Sequence, residues 1–311
     1  MTICHVGNLP LDEMGDITRE IFNRCDGYHD YYHVGVTQFL PIADIYLLHC
    51  FKKNSNYYAN FERPIQNPNS KIISLIHSSH PCRPSKKSDH IITLTDAAAQ
   101  HLYLTTDNKS LTIRGSIDLT EFLKVTPDYE FPVIGKISRP EPGKFHDKYF
   151  EVLSLLSKKH GARMRFISDT SKLFYPDEAE VITGVKIGHP VSKAAELRKL
   201  SIYADAHKTG PEAFVETLCT ATIEAMACGL PVVILKTQQP AMAEVVGDGG
   251  LIANNIYEFY NACELLMTSE SARMEWGTKA RKRAQEFNDL DKMIFEWNDL
   301  FKSTMDIINE K

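Results

Sequence analysis

The 311-residue sequence contains no apolar run approaching the roughly 18 residues that a membrane-spanning helix needs. Its opening, MTICHVGNLPLDEM, lacks a basic stretch followed by an apolar core, so no secretory leader is expected. Seven cysteines are scattered, odd in number and never spaced as CxxC. That argues against a disulfide framework and for reduced thiols in the cytoplasm. The formal net charge is −5 and no long basic tract is present, which argues against a nucleic-acid-binding surface. There is no HExxH, no DxD pair in a strand-end context, and no metal-ligand spacing among the 12 histidines. Neither a metal nor another cofactor is therefore expected. No GxGxxG follows an opening strand, which weighs against a dinucleotide-dependent dehydrogenase.

What is present has the balance of a soluble globular protein, with 43% hydrophobic and 24% charged residues. Strand-like and helix-like runs alternate. TICHVGNL, YYHVGVTQF, ADIYLLHCF, SKIISLIHS, HIITLTD and LTIRGSI are short, apolar and rich in β-branched or aromatic residues. Strands buried on both faces of a parallel sheet read this way. A second series opens at FPVIGKIS and continues through the helix KYFEVLSLLSKKHG, the strands ARMRFIS and AEVITGVKI, the helix SKAAELRKLSIYA and the strand LPVVILK. Two successive series predict an α/β protein of two doubly wound, Rossmann-like domains, residues 1–125 and 126–287. Residues 288–311 place Leu290, Met293, Ile294, Trp297, Leu300, Phe301 and Met305 on one stripe, an amphipathic helix that must dock on something.

The most informative stretch is ETLCTATIEAMACGLPVV, in which Glu216 and Glu224 bracket a run of small residues. If both lie on one helix, they sit about 12 Å apart along its axis and about 80° apart around it. An acid/base pair acting on one glycosidic bond is closer, roughly 5–9.5 Å. The pair therefore reads as two hydroxyl acceptors for the ends of an elongated ligand, with the helix N-terminus near Glu216 and room for a diphosphate between the two carboxylates.

At this point the sequence resembles the retaining GT-B glycosyltransferases, in particular glycosyltransferase family 4. EAFVETLCTATIEAMACGLPVV is similar to that family's two-glutamate signature. TIRGSIDLTEF, VIGKISRPEPGKF, LRKLSIYADA and AEVVGDGGLI resemble further family segments and fall in family order. The resemblance covers roughly residues 70–290. It implies two Rossmann-like domains facing a cleft, with the nucleotide-sugar donor mainly on the second domain and the acceptor on the first. It also implies a last helix that crosses back to the first domain.

The resemblance assigns hydroxyls of the donor sugar to Glu216 and the nucleotide ribose to Glu224. Backbone amides at Thr217, Leu218 and Cys219 would lie beside the sugar or phosphates. The family's basic pair is commonly GR-x4-K. Here Lys136 follows Gly135, and Arg139-x4-Lys144 restores the spacing. The diphosphate is therefore assigned to Arg139 and Lys144, with Lys136 as substitute. In ISLIHSSHP, His77 matches a family histidine that would contact the donor sugar or the acceptor, with His80 as runner-up and His49 ranked lower. Gly7 and Asn8 read as a strand end or as a close-approach turn.

The implied activity is metal-independent transfer, with retention, of a sugar from a nucleotide diphosphate donor to a hydroxyl acceptor such as a glycan. A nucleotide-sugar epimerase or hydrolase on the same scaffold, and a non-catalytic sugar-nucleotide-binding subunit, stay open at this stage. The base, the sugar and the acceptor are not encoded in any motif identified.

Overall fold

A computed structural model describes residues 1–7, 21–33, 40–50, 69–77, 88–123, 132–138, 142–168, 175–183, 190–208, 218–236 and 240–309. The chain divides into two compact units, Met1–Ile117 with Asp289–Lys311, and Asp118–Asn288.

In the first unit, β1 (Thr2–Gly7), β2 (Tyr28–His33), β3 (Ile45–Cys50), β4 (Lys71–Ile76), β5 (His90–Thr93) and β6 (Leu111–Thr112) form one parallel sheet in the order β2-β1-β3-β4-β5-β6. The central strands are apolar runs buried on both faces; all six residues of β3 are buried. Helix α1 (Asp96–Thr106) is capped by Thr95, whose hydroxyl accepts from the Ala98 N–H at 3.1 Å. The β2-β1-β3 order reverses direction between β1 and β3, the switch point at whose C-terminal strand ends doubly wound sheets bind ligands.

In the second unit, β7 (Val133–Ile137), β8 (Arg163–Ile167), β9 (Ala179–Ile182), β10 (Ile202–Asp205), β11 (Val232–Leu235) and β12 (Leu251–Ala253) are parallel in the order β12-β11-β10-β7-β8-β9. Its switch point lies between β7 and β10. The helices are α2 (Tyr149–His160), α3 (Pro190–Leu197), α4 (Thr220–Ala227), α5 (Pro240–Val246), α6 (Ile256–Thr268) and α7 (Glu270–Phe287). Tyr149, Phe166 and Phe259 fill a core under α2 and α6. Gly135 is required by packing: a Cβ there would lie 1.6 Å from the Arg165 carbonyl oxygen on β8.

The last helix, α8 (Leu290–Asn309), belongs to the first unit. Trp297 packs edge-on against Phe22 at 5.1 Å, and Asn298 Oδ1 accepts from the Asp26 N–H at 2.7 Å. The chain's two tryptophans fall one to each unit, Trp297 here and Trp276 on α7.

Two expectations need correction. SKAAELRKLSIYA is not one helix: α3 ends at Leu197 and Tyr203 lies in β10. The leucine spacing carries across a turn that has no Gly or Pro to mark it. Pairing decides the outcome, with Tyr203 opposite Gly135 and the Ser201 N–H donating to the Val133 carbonyl at 2.8 Å. In the first sheet, β2 begins at Tyr28, ahead of the expected start at Tyr31, and residues 34–39 of that run lie outside the described residues. YHDYYH is polar because β2 is the sheet's edge.

Candidate functional site

Helix α4 starts at Thr220, after Cys219 in a left-handed conformation (φ 59°, ψ 52°). That backbone is unusual for a residue with a side chain. Regular helix therefore does not extend back through Cys219, and the helical spacing expected between Glu216 and Glu224 does not apply. The Cys219 carbonyl accepts from the Thr222 and Ile223 N–H groups at 3.0 and 3.2 Å. The helix is buried from Thr222 to Ala227. It stops at Gly229, whose φ of 75° is the left-handed conformation that favours glycine, and Pro231 then leads into β11.

Glu224 is 0% exposed. Its Oε1 accepts from Nζ of Lys193 on α3, and its Oε2 is buried with no hydrogen-bond partner among the described residues. Burial pushes the Glu224 carboxyl up, and the Lys193 ammonium pulls it back. A carboxylate so enclosed, with one oxygen unpaired, carries an unmet demand for a donor.

A second polar group sits where β7 and β10 end, at the switch point of this sheet. Lys136 points inward: its Nζ donates to Asp205 Oδ1 at 2.6 Å and to the Lys144 carbonyl, and lies 4.3 Å from the centre of the Phe145 ring. His207 Nε2 is 3.2 Å from the same Asp205 oxygen. Burial opposes the charge on Asp205, but Lys136 and His207 override it and hold the carboxyl well below the usual range. Burial lowers Lys136 and His207, and Asp205 pulls both back. Lys144 closes the 3₁₀ turn Pro142–Lys144, which is tied to the end of β10 by the Lys208 N–H donating to the Gly143 carbonyl at 3.1 Å. The cluster thus fixes the turn that carries Lys144.

In the first unit His77 follows the last residue of β4, at the C-terminal edge of the sheet. Its Nε2 lies 2.9 Å from Nδ1 of His49, the penultimate residue of β3. Burial pushes His77 down to about 3.

Of the residues expected from sequence, Lys136, Lys144, Leu218, Cys219 and Glu224 are described in the second unit, and His49 and His77 in the first. Asn8, His80, Arg139, Glu216 and Thr217 lie outside the described residues. The present partners of Lys136 are protein groups. Sequence reasoning missed Lys193, Asp205 and His207. The IYADAH strand end was a signal for the last two, since polar residues closing a buried parallel strand at a switch point merit attention. Among the described residues, no group of three or more His, Cys, Asp or Glu side chains is arranged to hold a metal ion. No described helix is long and apolar enough to cross a membrane.

Comparison with solved structures shows the same two-unit architecture. S. aureus TarM, solved in one case with UDP and α-GlcNAc-glycerol, has a TM-score of 0.63 at 18% identity over 84% of this chain. The chain spans only 56% of TarM's length. Anabaena HepE, solved with UDP and glucose, has a TM-score of 0.72 at 13% identity, covering 97% of this chain and 100% of HepE. Sucrose-phosphate synthase from Thermosynechococcus elongatus has a TM-score of 0.69 at 10% identity, covering 99% and 100%. At these identities the likeness establishes the fold, the GT-B architecture of two parallel α/β sheets. No curated protein sequence matches the chain. The family described as glycosyl transferases group 1 matches residues 121–283, more than half of the 311, and spans α4, Glu224 and the Lys136–Asp205 cluster. The chain belongs to the glycosyl transferases group 1 family.

Proposed function

We propose that the protein transfers a sugar, with retention of anomeric configuration, from a nucleoside diphosphate sugar to a hydroxyl acceptor. The observation that carries this reading is the buried Oε2 of Glu224 on α4, which has no hydrogen-bond partner among the described residues. A ribose diol is a neutral donor of the right kind for that oxygen. Family membership and the UDP complexes of TarM and HepE support the same donor class.

In this reading Glu224 takes ribose hydroxyls and Glu216 takes sugar hydroxyls. Backbone N–H groups at Thr217, Leu218 and Cys219 lie along the diphosphate, with Lys144 and Arg139 supplying positive charge. As the glycosidic bond breaks, negative charge gathers on the leaving diphosphate. Fixed cations stabilise that charge more in the transition state than in the bound donor. Lys136 contributes by holding the turn that carries Lys144 through the Lys144 carbonyl and Asp205. Attack comes from the face the diphosphate leaves, with a diphosphate oxygen taking the acceptor proton. His77 is assigned to the sugar or the acceptor.

Separate Glu216→Ala and Glu224→Ala substitutions test the assignment by donor turnover. Each is expected to lose at least tenfold in kcat/KM, and wild-type turnover in both would refute it. A panel of uridine, guanosine and adenosine diphosphate sugars, read by thermal stabilisation, identifies the base, because a bound ligand raises stability by mass action. Conversion of a donor with no acceptor present would reassign the protein as an epimerase or hydrolase.

A further inference from the structure

Helix α3 carries a lysine on its buried side. Lys193 is 5% exposed and shares that side with Ala194 and Leu197, while Ala195 is exposed. A lysine is almost never buried to that degree unless it is paired. Its Nζ donates to Oε1 of Glu224 on α4, and the two side chains form a buried ion pair. That contact is the only side-chain hydrogen bond that either residue makes among the described residues.

The valences left over define what the pair can bind. An ammonium has three N–H donors, and a carboxylate has two acceptor oxygens. One donor and one oxygen meet each other, which leaves the remaining Lys193 donors beside the open Oε2 of Glu224. The two charges cancel, so the subsite favours neither an anion nor a cation. A phosphate oxygen would gain from Lys193 but be repelled by Oε2, and an ammonium would meet the reverse. A hydroxyl is neutral and both donates and accepts, so one hydroxyl oxygen answers both demands. The little exposure that the pair keeps belongs to Lys193, because Glu224 has none. The lysine is thus the member of the pair nearer to solvent.

We propose that Lys193 is a binding residue for the donor's ribose: one ribose hydroxyl donates to Glu224 Oε2 and accepts from Lys193 Nζ, so the ion pair reads that hydroxyl from both sides. The proposal rests on the assignment of Glu224 to the ribose and adds Lys193 to it. It also sets what the subsite rejects. A sugar that lacks the hydroxyl leaves a buried carboxylate oxygen and a buried N–H unmet at once, and sites of that kind discriminate strongly against the deoxy form.

The test is calorimetric binding of UDP, GDP and ADP to the full chain, each beside its 2′-deoxy and 3′-deoxy forms. Wild type is expected to bind one deoxy form of its preferred base about tenfold or more weaker than the parent, as befits the loss of hydrogen bonds to charged groups. Lys193→Met is expected to bring that ratio down, chiefly by weakening the parent. A wild-type ratio in Lys193→Met, whatever the absolute affinity, would overturn the proposal. Glu224→Gln is expected to keep part of the ratio through Lys193, and the double variant, which buries no charge, is expected to reach parity. Equal ratios in Glu224→Gln and the double variant would show that Lys193 acts only by holding Glu224, and would also overturn the proposal. That comparison decides alone if Lys193→Met does not fold. If Lys193 fails either test while Glu224→Gln lowers the ratio, the ribose assignment of Glu224 stands without Lys193. If Glu224→Gln keeps the wild-type ratio, or wild type binds no parent diphosphate or binds parent and deoxy forms alike, the ribose assignment falls and the proposal with it.

Discussion

At the scale of single residues, the two features most worth perturbing are the unpaired Glu224 oxygen and the glycine at the β7–β8 contact. Lys193→Met leaves Glu224 with no countercharge in a fully buried position. Breaking a buried pair from one side costs about 3–5 kcal/mol. Urea unfolding should show that loss, and adding Glu224→Gln should recover much of it, because the double variant buries no charge. Equal stability in the single and double variants would contradict the ion pair. Gly135→Ala forces a methyl group onto the Arg165 carbonyl, and overpacking of that kind costs about 3 kcal/mol or more. A variant as stable as wild type by the same measurement would contradict the packing. Glu224 drew attention in the sequence through its spacing from Glu216, and its helix was legible because Gly229 and Pro231 mark an end before a buried strand. Lys193 was not, because its partner is 31 positions away and nothing local in VSKAAEL distinguishes a buried lysine from a solvated one.

At the scale of elements, four rings in contact, His29 to His5 at 2.8 Å, His5 to His49 at 3.0 Å and His49 to His77 at 2.9 Å, form a histidine ladder that makes the first sheet sensitive to acid. Burial is the largest influence depressing His5 and His49, and the others are neighbouring rings of the ladder. Above the unfolded value of about 6.5, both folded and unfolded chains hold these rings neutral and pH has no effect through them. Below it the unfolded chain binds protons that the folded chain refuses, so stability falls as pH drops. The slope is up to about 1.4 kcal/mol per pH unit for each ring. His207 of the second unit acts with the same sign. Denaturation midpoints between pH 7 and pH 5 should fall, and should fall less steeply in His5→Phe. A flat profile would be inconsistent with neutral buried rings. Most of these strands were readable from β-branched apolar runs, and the order of motifs located both sheets. The ladder was not readable, since His5, His29, His49 and His77 become neighbours only once a two-residue stagger between parallel strands is known. The β10 error has the same origin: local leucine spacing speaks for a helix, and only the Gly135 partner strand speaks against it.

At the scale of the whole molecule, the first unit is assembled from both ends of the chain around an inserted second unit. Because each unit holds one tryptophan, Trp276→Phe leaves Trp297 as the reporter of the first and Trp297→Phe leaves Trp276 as the reporter of the second. Phe301→Ala removes a fully buried ring from α8 and should cost about 3–5 kcal/mol in the transition seen by Trp297. The transition seen by Trp276 should not move; a shared shift would mean the two units unfold as one. The amphipathic stripe of α8 was plain in the sequence, but the contacts it makes with Phe22 and Asp26 are tertiary and were not. During synthesis β1 and β2 leave the ribosome before the helix that packs on Phe22 and His29. Phe22 and His29 must therefore wait without that cover until the whole second unit has been made. A chaperone that shields apolar surface, or slow elongation through the second unit, would decide the yield of folded protein.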